Sequence, residues 1–269
     1  MLSAGYPFKT AVITILLTCG VLLPDSAPAS GGSLPSSSGQ APGCNTYHVS
    51  AAPPMYYGRF LMDRMEYAFT GQDDKLISYE ATGWYGGDYQ RVYLEVEGSH
   101  DSGSSGGGEM EKLDILYGKL ISPWWTIRAG TGYKGTYGPQ SEERFFGVVG
   151  LKGLAPFLFE VDTNARVSNR GEVLLDLEAE YDMYLTQRLV LQPRMDATFS
   201  FNRIEGLGIG PGFSNLGFSA RLRYEIRRQL APYVGISWST MTGGSRDMAR
   251  QEEEPRDVTA FMAGIRIWF

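Results

Sequence analysis

Phe261-Met262-Ala263-Gly264-Ile265-Arg266-Ile267-Trp268-Phe269 closes the chain, and its alternation decides the fold. Strand side chains point to opposite faces with period 2. Phe261, Ala263, Ile265, Ile267 and Phe269 therefore share one apolar face, and Met262, Gly264 and Arg266 share the other. Upstream, Val173, Leu175, Leu177, Ala179, Tyr181 and Met183 oppose Glu172, Asp176, Glu178, Glu180 and Asp182. Leu216, Phe218, Ala220, Leu222 and Tyr224 oppose Arg221, Arg223 and Glu225. A helix would spread these charges around its whole circumference.

Segments of this kind lie near 60–70, 75–85, 89–98, 110–120, 124–133, 142–152, 156–167, 172–185, 188–202, 213–226, 231–241 and 257–269. A soluble sandwich would alternate too, so the connections carry the decision. Those at 86–88, 121–123, 153–155 and 186–187 are tight, whereas 99–109, 134–141, 203–212 and 242–256 are longer and rich in Gly, Ser or charge. Short turns at one mouth and long loops at the other are the habit of transmembrane barrels. The final strand, ending on Phe269, resembles the strand that bacterial outer-membrane barrels present to their assembly machinery. The fold expected is all-β: a transmembrane antiparallel β-barrel of about 12 strands with a flexible N-terminal tail. An even strand count puts both termini on the periplasmic side.

Composition agrees. Mean hydropathy is −0.20, a value a barrel reaches because lipid-facing and lumen-facing residues cancel. The 16 Tyr, 13 Phe and 5 Trp are enough for two interfacial girdles. A net charge of −6 gives nucleic-acid binding no support. Lys9, an apolar run over 11–23 and Ala27-Pro28-Ala29 make 1–29 a secretory signal peptide. A lipidated Cys19 is disfavoured by Thr18 before it and by the apolar run continuing past it. Removal of the leader leaves Cys44 alone, so no internal disulfide forms. Residues 30–57, rich in Ser, Gly, Pro and Ala, read as a flexible periplasmic tail; 58–269 is the barrel.

In a barrel the polar face lines the lumen. It holds Glu66, Glu80, Glu95, Glu97, Asp114, Glu160, Asp162, Asp176, Glu178, Glu180, Asp182 and Asp196, against Arg64, Arg91, Lys112, Arg128, Arg166, Arg194, Arg221, Arg223 and Arg266. Twelve strands enclose less room than an open porin, and unpaired buried charges cost several kcal/mol, so most of these groups must pair and stiffen the barrel. The other reading is that the acidic excess over 156–185 binds a cation. Met62, Met110 and Met262 fall on the lumen parity, whereas Met183 and Met195 fall toward lipid. Thioether sulfur is a soft ligand that selects Cu(I), although methionine is also a routine apolar filler. His48 lies in the tail and His100 in a Gly/Ser loop, a poor basis for a hydrolase dyad. No G-x-S-x-G, P-loop, H-E-x-x-H or C-x-x-C motif occurs.

From residue 60 the segments resemble the copper-resistance protein B family of bacterial outer-membrane proteins. The resemblance is carried by Phe60-Leu61-Met62-Asp63-Arg64-Met65-Glu66-Tyr67, Gly83-Trp84-Tyr85-Gly86-Gly87-Asp88-Tyr89 and Leu116-Tyr117-Gly118-Lys119-Leu120-Ile121-Ser122-Pro123-Trp124-Trp125. Leu177-Glu178-Ala179-Glu180-Tyr181-Asp182 and Leu185-Thr186-Gln187-Arg188-Leu189-Val190-Leu191-Gln192-Pro193-Arg194 continue it. The resemblance implies a non-enzymatic outer-membrane barrel that binds or passes copper ions. Many members carry a Met- and His-rich segment before the barrel; this tail offers only Cys44, His48 and Met55.

The candidate metal ligands are Met62, Glu66, Met110, Asp114 and Met262, with Glu178, Glu180 and Asp182 as an acidic guide. Expected partners are outer-membrane lipid, the barrel assembly machinery through Phe269, and a periplasmic copper-binding protein, with no nucleic acid. The competing readings are a generic narrow porin or structural barrel without a copper site, and, further off, an outer-membrane hydrolase.

Overall fold

A computed structural model describes residues 55–70, 75–101, 107–137, 142–204, 207–251 and 257–269. The expected leader 1–29 and tail residues 30–54, with Cys44 and His48, lie outside the described residues.

The strands are β1 (Tyr57–Thr70), β2 (Lys75–Gly86), β3 (Gln90–Asp101), β4 (Gly108–Ser122), β5 (Trp125–Tyr137), β6 (Glu143–Ala155), β7 (Phe159–Ser168), β8 (Val173–Glu180), β9 (Met183–Tyr184), β10 (Leu189–Ser200), β11 (Gly212–Tyr224), β12 (Leu230–Met241) and β13 (Asp257–Trp268). One helix, α1 (Gly243–Gln251), lies between β12 and β13. Each strand pairs antiparallel with its neighbours, and β13 pairs with β1, so the sheet closes. The backbone groups of Phe60 and Phe269 bond each other at 3.0 and 2.8 Å and seal the seam. Closure removes the edge that a membrane would leave without partners. No described helix is long and apolar enough to cross a membrane.

β8 and β9 pair with the same edge of β10 and fill one position in the wall, so thirteen strands make a twelve-position barrel. Their interruption falls at Tyr181 and Asp182. The register sets Tyr181 opposite Pro193 of β10, which has no N–H to give to the ladder. Most of the expected segments differ from these strands by one to three residues at their ends.

The inside-out pattern holds. Phe69, Val92, Ile115, Phe145, Val149, Phe218, Val234 and Phe261 are exposed, while Glu66, Glu95, Asp114, Arg128, Arg166, Arg194 and Arg221 are buried. Tyr85, Tyr89, Trp124, Phe159, Tyr184, Tyr224 and Phe269 lie exposed toward the mouth that carries both barrel ends, here the terminal mouth. Phe69, Tyr137, Phe145, Phe201 and Phe213 lie exposed toward the far mouth. These are the two girdles.

Three expectations are corrected. Short and long connections do not alternate throughout: residues 169–172 make a tight turn at the far mouth, with the Gly171 N–H donating to the Ser168 carbonyl at 3.0 Å. His100 lies in β3, its ring stacked on Tyr137 at 6.0 Å, instead of in a free loop. Not all of the lumen is polar. Leu116, Phe146, Val148 and Leu174 form a buried patch on the inner wall, covered by Ile204 with Leu207 and Ile209. These last three come from the connection between β10 and β11, which folds inward at the far mouth. Ile204 and Ile209 bridge each other's backbone, and α1 braces the segment through a hydrogen bond from the Gly210 N–H to Ser245 Oγ at 2.7 Å.

Candidate functional site

The lumen is organised by ion pairs between strands that are distant in sequence. Arg166 of β7 grips Asp114 of β4 with two parallel bonds of 2.9 and 2.7 Å, and its Nε donates to Asp176 of β8 at 2.6 Å. Asp114 is fully buried and Arg166 nearly so. The pair has room because β5 presents Gly132 at that level. A Cβ there would run into the Asp114 carboxylate, the Arg166 guanidinium and Val148. Arg128, buried completely, bonds Glu95, Asp162 and, at 3.0 Å, Asn164. Glu66 accepts from Tyr233 Oη at 3.0 Å and from Arg221 at 3.3 and 3.4 Å. Such pairs withstand desolvation because each charge keeps several well-aligned partners.

At mid-depth the pairing crosses the lumen. Arg194 of β10 pairs with Glu178 of the adjacent β8 at 2.9 Å, donates to Glu80 of β2 at 2.9 Å, and approaches Glu97 of β3 at 3.9 Å. In the order of the closed sheet, β10 and β3 stand diametrically opposite. Arg64 of β1 also bonds Glu80 and Glu97. Three carboxylates and two guanidiniums thus tie opposite walls together.

The five candidate ligands separate. Met262 faces the lumen beside Ala68, Ala260 and Leu76, and Glu66 and Asp114 are in the lumen but committed to the arginines above. The lumen parity of Met62 and Met110 is corrected. β1 gains one residue between Met62 and Arg64, a bulge at Asp63, so that Asp63 and Arg64 both turn inward. Met62 then shares its face with Ala81 and the outward Ile267. β4 gains one residue at Glu111, which sets Met110 beside Gly98 and Gly135 on the outer face, where Tyr79 Oη reaches its sulfur at 3.8 Å. A bulge inverts every side chain on one side of it relative to the regular pleat. The Met62, Met110 and Met262 sulfurs therefore do not share the lumen.

The acidic guide stays on the lumen side toward the terminal mouth. Asp182 bonds Arg223 at 2.9 Å, and Glu180 accepts from Gln192 Nε2 at 3.1 Å. Glu178 and Glu180 join Glu160, Asp162 and Lys152 around a cavity of about 270 Å³ rimmed by Trp124. Glu160 and Asp162 are the groups here that charge alternation names without making them ligands. Among the described residues, no three His, Cys, Asp or Glu side chains converge with metal-holding geometry.

Comparison with known proteins places this geometry. Residues 56–269 match the family described as copper resistance protein B precursor. The copper resistance protein B of Escherichia coli is 38% identical over 209 residues, which are 78% of this chain and 68% of that protein. The homolog from Pseudomonas syringae pv. tomato is 34% identical over 211 residues, 78% of this chain and 69% of that protein. Among solved structures, the KdgM porin is similar over 78% of this chain and 99% of its own, at 11% identity and TM-score 0.48. The NanC porin is similar over 77% and 98%, at 10% identity and TM-score 0.49. With the closed strand order and the inward charges, the match over the whole barrel means that this chain, an outer-membrane β-barrel, belongs to the copper resistance protein B family.

Proposed function

We propose that the barrel serves copper resistance by taking copper ions into its lumen from the terminal mouth, which faces the periplasm. The observation that carries this reading is the acidic cavity of Glu160, Asp162, Glu178 and Glu180 at that mouth, in a chain of a copper-resistance family. Carboxylates at an entrance raise the local concentration of cations. Met262, inside the lumen near Glu66, supplies the soft contact. A periplasmic copper-binding protein delivers or accepts the ion, since the chain's own tail holds few soft ligands. Lipid surrounds the apolar outer face, and the assembly machinery reads the strand ending in Phe269.

The test is Cu(I) affinity of the detergent-folded full chain, by competition with a chromophoric chelator, against Glu178→Gln/Glu180→Gln and Met262→Leu. Weakening of about tenfold or more in the acidic double variant, about 1.4 kcal/mol, is expected. Native binding no tighter than that of a zinc or calcium control would sink the reading.

A second reading has its own observation: the Arg194 pairs bridge the lumen, as they would in a structural barrel without a metal path. Planar-bilayer recordings with no ionic conductance under any copper load would favour it.

A further inference from the structure

Three strands aim carboxylates at one guanidinium. Glu80, Glu97 and Glu178 all lie within ion-pair distance of Arg194, at 2.9, 3.9 and 2.9 Å. Arg194 enters from the wall opposite Glu80 and Glu97 and beside Glu178, and its side chain is 4% exposed. Its hold is incomplete: Nη1 and Nη2 make the pairs while Nε, buried, has no hydrogen-bond partner. Arg64 pairs with Glu80 and Glu97 from β1. Within these pairs three carboxylates share two guanidiniums, with the Lys112 ammonium nearby, and loss of Arg194 would take one positive charge out of a confined acidic cluster. The arginine supplies the positive charge that Glu80, Glu97 and Glu178 share at mid-lumen.

We propose that Arg194 is a tethered counter-cation that holds the lumen shut, and that a mobile metal cation passes by competing with its guanidinium for Glu80, Glu97 and Glu178. This rests on the reading that the barrel admits cations and adds the residue that controls their passage. The exchange is one of ion pairs alone. The incoming cation takes the carboxylates, and the guanidinium swings toward Asp196, the next lumen carboxylate on its own strand.

The experiment measures Mn2+ binding to the folded full chain from the electron paramagnetic resonance signal of free Mn2+, an ion suited to carboxylate oxygens. Arg194→Met removes the charge and keeps an unbranched side chain. Arg194→Gln does so with a polar group and replaces it if the methionine variant fails to fold, as judged by heat-modifiable electrophoretic mobility. Either variant is expected to bind Mn2+ about tenfold or more tightly than the native chain. Arg194→Lys, which keeps a tethered cation, should bind as the native chain does. Adding Glu178→Gln to the neutral variant should remove the gain. The proposal is overturned if the neutral variants bind no tighter than native, if Arg194→Lys tightens binding as much as they do, or if the gain survives Glu178→Gln. Mn2+ reports on the carboxylates without any preference for copper, so this outcome and the Cu(I) outcome stand or fall separately.

Discussion

The Arg194 guanidinium on β10 donates to the Glu80 carboxylate on β2 at 2.9 Å, although the two residues are 114 apart in sequence. Five steps around the twelve-position wall separate their strands by the shorter way. The bond therefore runs through the lumen and fastens opposite walls, which an open pore of larger strand number would leave apart.

The pair between Asp114 and Arg166 should dominate the stability of the far half of the lumen. Asp114→Asn removes a charge from a fully buried bidentate pair and leaves Arg166 with Asp176 alone. Loss of one member of such a pair costs about 3–5 kcal/mol. Urea unfolding of the detergent-folded barrel should show the midpoint falling; an unchanged midpoint would mean that water enters this region and screens the charge.

Gly132 should tolerate no side chain. Gly132→Ala sets a methyl against Asp114, Arg166 and Val148 at once, and overpacking of this kind costs about 1–3 kcal/mol. The variant should unfold earlier in urea, and in combination with Asp114→Asn the two losses should add to less than their sum, because both act on one contact.

The methionines should divide by face. Met62→Leu and Met110→Leu exchange lipid-side fillers of similar volume and should leave Cu(I) affinity at the native value. Met262→Leu removes the one sulfur of the three candidate methionines that points inward and should weaken it. Weaker copper binding in Met62→Leu with Met262→Leu unaffected would contradict the bulge-determined register.

Ile204→Ala should loosen the inward segment at the far mouth without unfolding the wall. Ile204 is fully buried against Phe146, Val148 and Leu174, and truncation of a buried isoleucine costs about 2–5 kcal/mol. Limited proteolysis followed by mass spectrometry should find faster cleavage near 207–211 and native protection across β10 and β11. Unchanged cleavage would show that α1 alone holds the segment through Ser245.

Phe269→Ala should separate assembly from stability. The backbone bonds of Phe269 to Phe60 survive the change, and its ring is exposed. Folding into detergent should match the native chain, whereas the yield of folded protein in the outer membrane should drop. Equal losses in both settings would make Phe269 a packing residue instead of a recognition signal.

The alternation around Glu178 and Glu180, the ending on Phe269 and the girdle aromatics were enough to predict the barrel, its strand number to within the break at Tyr181, and which face holds charge. These are local properties, since pleat and period depend on neighbours along the chain. Pro193 was visible too, but its effect on the strand opposite was not, because that depends on register. Parity alone puts Met62 and Met110 in the lumen, against their true positions, for the same reason. One inserted residue at Asp63 or Glu111 flips parity, and only cross-strand pairing reveals it.

What the sequence by itself determined is the membrane-spanning strand pattern, the inward face and its acidic excess, because lipid on one side and water or counter-charge on the other impose a two-residue period wherever a strand crosses. What only the tertiary structure decided is who pairs with whom: Arg194 with Glu80, Asp114 with Arg166, Ile204 with Leu174. Those contacts join residues far apart in the chain, on different strands or on the inward segment after β10, and closing the sheet is what brings them together.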